Sequence, residues 1–133
     1  MGAPSARKSV NRKGFIVIHE EDDLIRELLE RWLGEAGYSF ALAEQRIRRA
    51  KPRGEAPRLV IANVASPRGA QPLIDSLRAV YAAPILILSA RFRRGLEGSA
   101  EAAQRLGVRK VLPKPFTREE FLSAVRESVE DDG

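Results

Sequence analysis

The 133-residue chain contains no cysteine, so it forms no disulfide bond and offers no thiolate to a metal or a catalytic centre. The absence of cysteine fits a reducing compartment. No stretch approaches the ~20 apolar residues that a membrane-spanning helix needs, and residues 1–7 lack the apolar core of a secretory signal. We therefore expect a cytoplasmic location and no membrane partner.

Acidic residues are missing from residues 1–14, which hold four of the 23 basic residues. The remaining chain has 19 basic and 18 acidic residues, so most of the net charge of +5 comes from this one segment. We expect residues 1–13 to form a disordered basic tail and residues 14–130 to form one domain. A tail that binds nucleic acid is the alternative interpretation.

Aromatic residues are also scarce, at 6% of the chain. A second basic cluster contains no aromatic residue on which the bases of a single strand would stack, so we do not favour a nucleic-acid partner. A solvated face or a docking face for an acidic protein are the other interpretations. The cluster consists of Arg46, Arg48, Arg49, Lys51 and Arg53.

Five short apolar runs alternate with segments whose apolar residues recur at helical spacing. Runs this short and rich in β-branched residues are typical of strands that are buried on both faces. The predicted strands cover residues 15–18, 38–43, Leu59–Val64, Ile85–Ser89 and 108–112, and the predicted helices lie near residues 24–33, 45–50, 72–80, 96–106 and 118–129.

Alternation of strands and helices indicates a parallel sheet with right-handed crossovers and helices on both faces. We therefore predict an α/β fold, a flavodoxin-like (βα)5 three-layer sandwich whose five-stranded parallel sheet has the order 2-1-3-4-5. Asp22 or Asp23 is expected to cap the first helix, and Gly37 to end it. Thr117 and Glu120 form a capping box at the start of the last helix.

Polar residues follow or end four of the predicted strands, at the sheet edge where open α/β folds bind their ligands. Carboxylates at this edge would hold Mg²⁺, and a lysine would neutralise a phosphoryl group. The residue that decides the chemistry is Asn63, because it is a neutral carboxamide. The candidate site residues are Glu20, Glu21, Asn63, Ser89 and Lys114.

Residues 15–129 resemble the receiver domain of two-component response regulators. The resemblance rests on residues 16–22, Leu59–Val64, residues 85–90 and, most specifically, residues 112–116. It implies that Asn63 stands where the family has the aspartate that accepts a phosphoryl group from a histidine kinase. It also implies a cis peptide bond between Lys114 and Pro115.

The resemblance assigns roles to the other residues of the site as well. Glu20 and Glu21 match acids that help to hold Mg²⁺, while Ser89 and Lys114 match residues that contact the phosphoryl group. Each residue also has a structural interpretation. The two acids are then solvated groups at the start of a helix, Lys114 is an ion-pair partner for them, and Ser89 satisfies backbone groups.

The departures from the family are as informative as the matches. Asn63 gives a metal one weak carbonyl ligand and is a poor nucleophile, so an aspartyl phosphate does not form on it. Val111 stands where the family has its aromatic switch residue. We therefore expect no catalytic residue, no enzymatic activity and no cofactor, with Glu20, Glu21 and Asn63 forming at best a degenerate, weak Mg²⁺ site.

These observations predict a pseudo-receiver: a receiver-like domain of two-component signal transduction that acts as a phosphorylation-independent protein-interaction module. The expected partner is a histidine kinase, another regulator, an output domain or a second copy of the chain. By resemblance, the contact face comprises the helix near residues 96–106, the following strand and the last helix. The alternatives are a receiver phosphorylated on an atypical residue and a basic regulatory domain associated with nucleic acid.

Overall fold

The apolar runs of the sequence form the strands of one parallel sheet. The computed structural model describes residues 15–42, 57–64, 69–89 and 99–130. The strands are β1 (Phe15–His19), β2 (Ser39–Leu42), β3 (Leu59–Val64), β4 (Ile85–Ser89) and β5 (Lys110–Pro113). The helices in the described part of the chain are α1 (Asp23–Glu35), α2 (Ala70–Val80), α3 (Ser99–Leu106) and α4 (Arg118–Glu130).

Three sequence predictions fall on residues that lie outside this description. They are the basic tail of residues 1–13, the helix near residues 45–50 and the second basic cluster of Arg46, Arg48, Arg49, Lys51 and Arg53. In the described residues, no helix combines the length and the apolar character that a membrane span requires.

The five strands pair in the order β2-β1-β3-β4-β5, and all of the pairings are parallel. This confirms the flavodoxin-like order predicted from the alternation of strands and helices. In the register, His19 pairs with Ala62 and Ser89 pairs with both Val64 and Pro113. The carboxyl ends of β1, β3, β4 and β5 therefore meet at one edge of the sheet.

Alternate residues of the central strands enter two separate cores, because successive side chains of a strand point to opposite faces of the sheet. On one face, strand residues such as Val17 and Val60 pack against α2 and α3. On the other, strand residues such as Ile16 and Ile61 pack against α1 and α4. Both faces of β3 and β4 are covered, which explains why their sequences are almost entirely apolar.

The helix ends follow the predicted signals. The Oδ1 atom of Asp22 accepts hydrogen bonds from the backbone N–H groups of Leu24 (2.9 Å) and Ile25 (3.1 Å), so Asp22 is the cap of α1. Gly37 follows that helix with a φ of 93°, a conformation that favours glycine. At α4, Thr117 and Glu120 form the reciprocal capping box, with hydrogen bonds of 2.9 and 3.0 Å.

Helical periodicity was a poor guide to burial at three positions. Leu24 and Leu28 share the apolar stripe of α1, yet Leu24 is 78% exposed and Leu28 is also exposed. Val80 continues the apolar side of α2 that contains Ile74 and Leu77, yet it is 51% exposed at the last position of that helix. Periodicity identifies one side of a helix, but it does not say how far along the helix its neighbours cover that side.

The end of α4 contains a buried hydroxyl group without a partner among the described residues. Ser128 is 1% exposed, and its Oγ atom makes no hydrogen bond there. Its backbone carbonyl accepts a hydrogen bond of 2.7 Å from Nη1 of Arg109, which a change of side chain leaves in place. An unsatisfied buried hydroxyl destabilises the folded state.

We predict that Ser128→Ala raises the free energy of unfolding by about 1 kcal/mol, because it removes the unsatisfied hydroxyl and introduces a better helix former. Urea denaturation measures the change. The matched control is Ser123→Ala in the same helix, where the hydroxyl donates to Glu127 at 3.4 Å and a smaller gain is expected. A loss of stability in Ser128→Ala would contradict this interpretation of the buried hydroxyl.

Candidate functional site

The predicted polar residues lie at the carboxyl edge of the sheet. Glu20 directly follows β1, Asn63 is the fifth residue of β3, Ser89 ends β4 and Lys114 follows β5. Since β1, β3, β4 and β5 are consecutive neighbours in the sheet, these four residues occupy consecutive positions along the edge. The topology therefore brings the predicted residues to one edge, and the side-chain contacts decide which of them interact.

Glu20 and Asn63 are in direct contact. The Nδ2 atom of Asn63 donates a hydrogen bond of 3.2 Å to Oε2 of Glu20. The same carboxylate oxygen accepts a second hydrogen bond, of 2.9 Å, from the backbone N–H of Asp22. Glu20 is only 8% exposed, so this carboxylate is a buried group held by two N–H donors.

Two further oxygen atoms of this pair have no hydrogen-bond partner in the described part of the chain. They are Oε1 of Glu20 and Oδ1 of Asn63, and both are buried. An amide oxygen and an ionised carboxylate oxygen can accept hydrogen bonds but cannot donate them. These two acceptor oxygens disfavour an anion; they would accept a hydrogen-bond donor, or a cation for which the neighbouring residues supplied enough further ligands.

A divalent cation fits this set of residues poorly. The Nδ2 atom of Asn63, which lies against Glu20, is a donor and cannot bind a cation, so Asn63 could offer a cation only its Oδ1 atom. Glu21, the third predicted ligand, has an exposed side chain. The described residues contain no group of three histidine, cysteine, aspartate or glutamate side chains able to hold a metal ion. One carboxylate and one amide carbonyl give Mg²⁺ a single anionic protein ligand, so the site offers the ion little charge compensation.

Ser89 and Lys114 are linked through the backbone. The N–H group of Lys114 donates to the carbonyl of Ser89 at 3.0 Å, and Ser89 is fully buried. The Lys114–Pro115 peptide bond is cis, as the family resemblance implied. Among the ion pairs of the described residues there is none between Lys114 and Glu20 or Glu21, so the structural pairing considered for this lysine is not formed.

Sequence reasoning assigned Asp22 only to helix capping and missed its second role. Its backbone N–H binds Glu20 while its side chain caps α1, so one residue connects the carboxylate to the helix. In the sequence, this hydrogen bond is indicated only by the fact that Asp22 lies two positions after Glu20. That spacing is common in turns, so it does not identify the bond by itself.

The face formed by α3, β5 and α4 lies at the other end of the sheet from β2. Two open clefts flank β5, one of about 580 Å³ beside α3 and one of about 530 Å³ beside α4. The first is lined by residues such as Ala103 and Val111, and the second by residues such as Leu112 and Ala124. Lys110 and Glu127 form an exposed ion pair across this face, at 3.1 Å.

The fold of this chain is shared by known structures. It matches 134 chains of solved structures. A response regulator receiver protein from Burkholderia phymatum superposes with a TM-score of 0.68 and 23% identity, over 88% of this chain and 95% of the other. The chemotaxis protein CheY4 of Vibrio cholerae gives 0.60 and 18%, over 86% and 98%. The chain has the fold of a response regulator receiver domain.

Some of the matched proteins are longer than this receiver fold. Full-length FixJ from B. japonicum matches with a TM-score of 0.61 and 26% identity over 90% of this chain, but over only 61% of FixJ. NtrX from Brucella abortus is covered over 26% of its length. No protein-family model and no curated protein sequence matches the chain.

The ion pair between Lys110 and Glu127 affects the pKa of the glutamate. The hydrogen bond from Lys110, together with the charge of that lysine, lowers the pKa of Glu127 from its ordinary value. A lowered folded-state pKa means that the pair contributes stability above the pKa of the unfolded chain. That contribution is lost as the pH falls through the pKa of the folded state.

We predict that Lys110→Met raises the pKa of Glu127 toward its ordinary value, as measured by NMR titration of the carboxyl carbon. Arg118→Met is the matched control, because it removes a different exposed ion pair, that of Arg118 with Glu35 at 3.1 Å. The control should leave the titration of Glu127 unchanged. An unchanged titration in Lys110→Met would show that the lysine is not the cause of the shift.

Proposed function

We propose that this protein is a pseudo-receiver: a response-regulator-like signalling domain that is not phosphorylated at the usual position and acts through contacts with other proteins. The observation that carries the proposal is the carboxamide of Asn63 at the end of β3, bound through its N–H group to the carboxylate of Glu20. The receiver fold of the chain supports the signalling role.

The chemistry of the pocket argues against phosphoryl transfer to Asn63. An acyl phosphate forms when a carboxylate oxygen attacks phosphorus, and the carboxamide has no anionic oxygen to attack with. Its carbonyl oxygen is buried and its nitrogen is engaged with Glu20. The pocket therefore provides neither the nucleophile nor the ligand set for a divalent cation that would neutralise a phosphoryl group.

The switch that usually reports on phosphorylation is altered as well. Val111 occupies the position of the aromatic switch residue, and it is buried in the core formed with α2 and α3. A buried valine packed in this way has no ring to rotate between an exposed and a buried position. We infer that the surface next to β5 keeps one state, whatever happens at the carboxyl edge.

The face formed by α3, β5 and α4 is the proposed docking surface. It contains the edge strand β5 of the described sheet, the clefts on both sides of that strand and charges of both signs at Lys110 and Glu127. The proposed partner is a histidine kinase, another regulator, an output domain or a second copy of the chain. We place the protein in the cytoplasm and assign it no enzymatic activity and no cofactor.

Incubation with acetyl phosphate and MgCl₂, followed by intact-mass measurement, tests the chemical half of the proposal. The wild-type chain should gain no phosphoryl group. Asn63→Asp is the matched variant, because it restores a carboxylate at the same position with nearly the same shape, and it should gain a hydroxylamine-sensitive phosphoryl group. A wild-type chain that gains such a group would overturn the proposal in favour of a receiver with an atypical acceptor.

The binding half is tested by capture of partners with the wild-type chain, with Asn63→Asp and with Lys110→Glu. We expect the wild-type chain and Asn63→Asp, without acetyl phosphate, to retain the same protein, and Lys110→Glu on the docking face to lose at least about tenfold in affinity, since charge reversal disrupts a complementary interface. Arg26→Glu on α1 serves as the control for charge alone. Equal loss in both charge variants would argue against this face.

A further inference from the structure

The turn between β1 and α1 is organised around the carboxylate of Glu20. Its Oε2 atom accepts two hydrogen bonds. One, of 3.2 Å, comes from Nδ2 of Asn63 on β3, and the other, of 2.9 Å, comes from the backbone N–H of Asp22. Asp22 in turn caps the first N–H groups of α1 through its own side chain. A continuous series of hydrogen bonds therefore runs from the end of β3 to the start of α1.

We propose that the carboxamide of Asn63 replaces a divalent cation in this turn. Its N–H group holds and compensates the buried carboxylate of Glu20, so that the start of α1 is positioned without metal. Asn63 is then a positioning residue that acts through Glu20. This inference rests on the proposed function only in that both require an uncharged side chain at position 63.

The argument begins with the cost of burying a charge. A carboxylate removed from water is stable only when donors or an opposite charge compensate it. Glu20 is 8% exposed, and it has no ion pair with any lysine, arginine or histidine of the described residues. The N–H groups of Asn63 and Asp22 are its donors there, and hydrogen bonds to an ionised group are the stronger kind.

An aspartate in place of Asn63 would reverse the interaction. The N–H donor would become a carboxylate oxygen at about the same distance from Oε2 of Glu20, and two like charges this close repel each other. A divalent cation between the two carboxylates would relieve the repulsion. The exchange of one NH₂ group for one oxygen thus decides whether the turn needs metal.

Thermal unfolding in EDTA and in MgCl₂ tests the inference with the full chain. The melting temperature of the wild type should differ by less than about 1 °C between the two conditions. Asn63→Asp should melt roughly 5–10 °C lower than the wild type in EDTA, and MgCl₂ should recover at least half of that loss. Asn63→Ala should lose a similar amount in EDTA and recover none of it.

Amide hydrogen exchange measures local opening of the turn between β1 and α1 separately from unfolding of the whole domain. In Asn63→Ala, the N–H of Asp22 should exchange about tenfold faster than in the wild type, because its acceptor Glu20 is no longer held. The N–H of Phe121, bonded to the carbonyl of Thr117 at 2.9 Å in α4, is the internal control. Its exchange should change only by the factor that the loss of global stability explains.

The inference is overturned if MgCl₂ raises the melting temperature of the wild type by several degrees. It is also overturned if Asn63→Ala matches the wild type in melting temperature and Asp22 exchange, or if MgCl₂ fails to rescue Asn63→Asp. These results are independent of the acetyl phosphate experiment. A phosphorylated wild-type chain whose stability is insensitive to Mg²⁺ would reject the proposed function and leave the role of Asn63 standing.

Discussion

A carboxylate that is taken out of water must be compensated, and in this protein the compensation of Glu20 comes from N–H groups. This constraint links three parts of the chain: the end of β1, the end of β3 and the first turn of α1. The hydrogen bond between Asn63 and Glu20 also limits which groups can bind at this part of the edge. An amide that donates to a carboxylate does not also offer that position to a cation, and it provides no anionic nucleophile.

The fold brings these groups together for reasons unrelated to phosphoryl chemistry. A parallel sheet with helices on both faces buries β1, β3 and β4, and parallel pairing aligns their carboxyl ends. The apolar residues of these strands enter two cores that do not include Asn63 or Glu20. The two cores that stabilise the receiver fold therefore do not involve these residues of the edge.

The sequence predicted the fold well, because the fold depends on local signals and on packing. Short β-branched runs located the strands, and the capping residues Asp22 and Thr117 located two helix starts. Burial along the helices was less predictable. Leu24 lies on the apolar stripe of α1 but is exposed, since burial depends on where the neighbouring elements end.

The position of Glu20, Asn63, Ser89 and Lys114 at the carboxyl edge of the sheet could be predicted from the sequence, but their contacts could not. Which of them touch depends on side-chain rotamers and on strand order: Glu20 and Asn63 are on adjacent strands, whereas Lys114 follows β5, two strands beyond β3. Neighbouring strands lie ~5 Å apart, so a lysine that follows β5 has to extend past β4 and β3 to reach the carboxylate that follows β1.

The replacement of a carboxylate by a carboxamide has opposite effects on chemistry and on stability. A carboxamide has no anionic oxygen to act as a nucleophile, yet it supplies an N–H donor to the buried carboxylate of Glu20. With Asn63 at this position the edge has one carboxylate fewer to repel Glu20, and under the proposed function the buried Val111 supplies no ring to couple that edge to β5. The face of α3, β5 and α4 carries clefts and charges at the surface, and under the proposed function it is this face, not the carboxyl edge of the sheet, that a partner contacts.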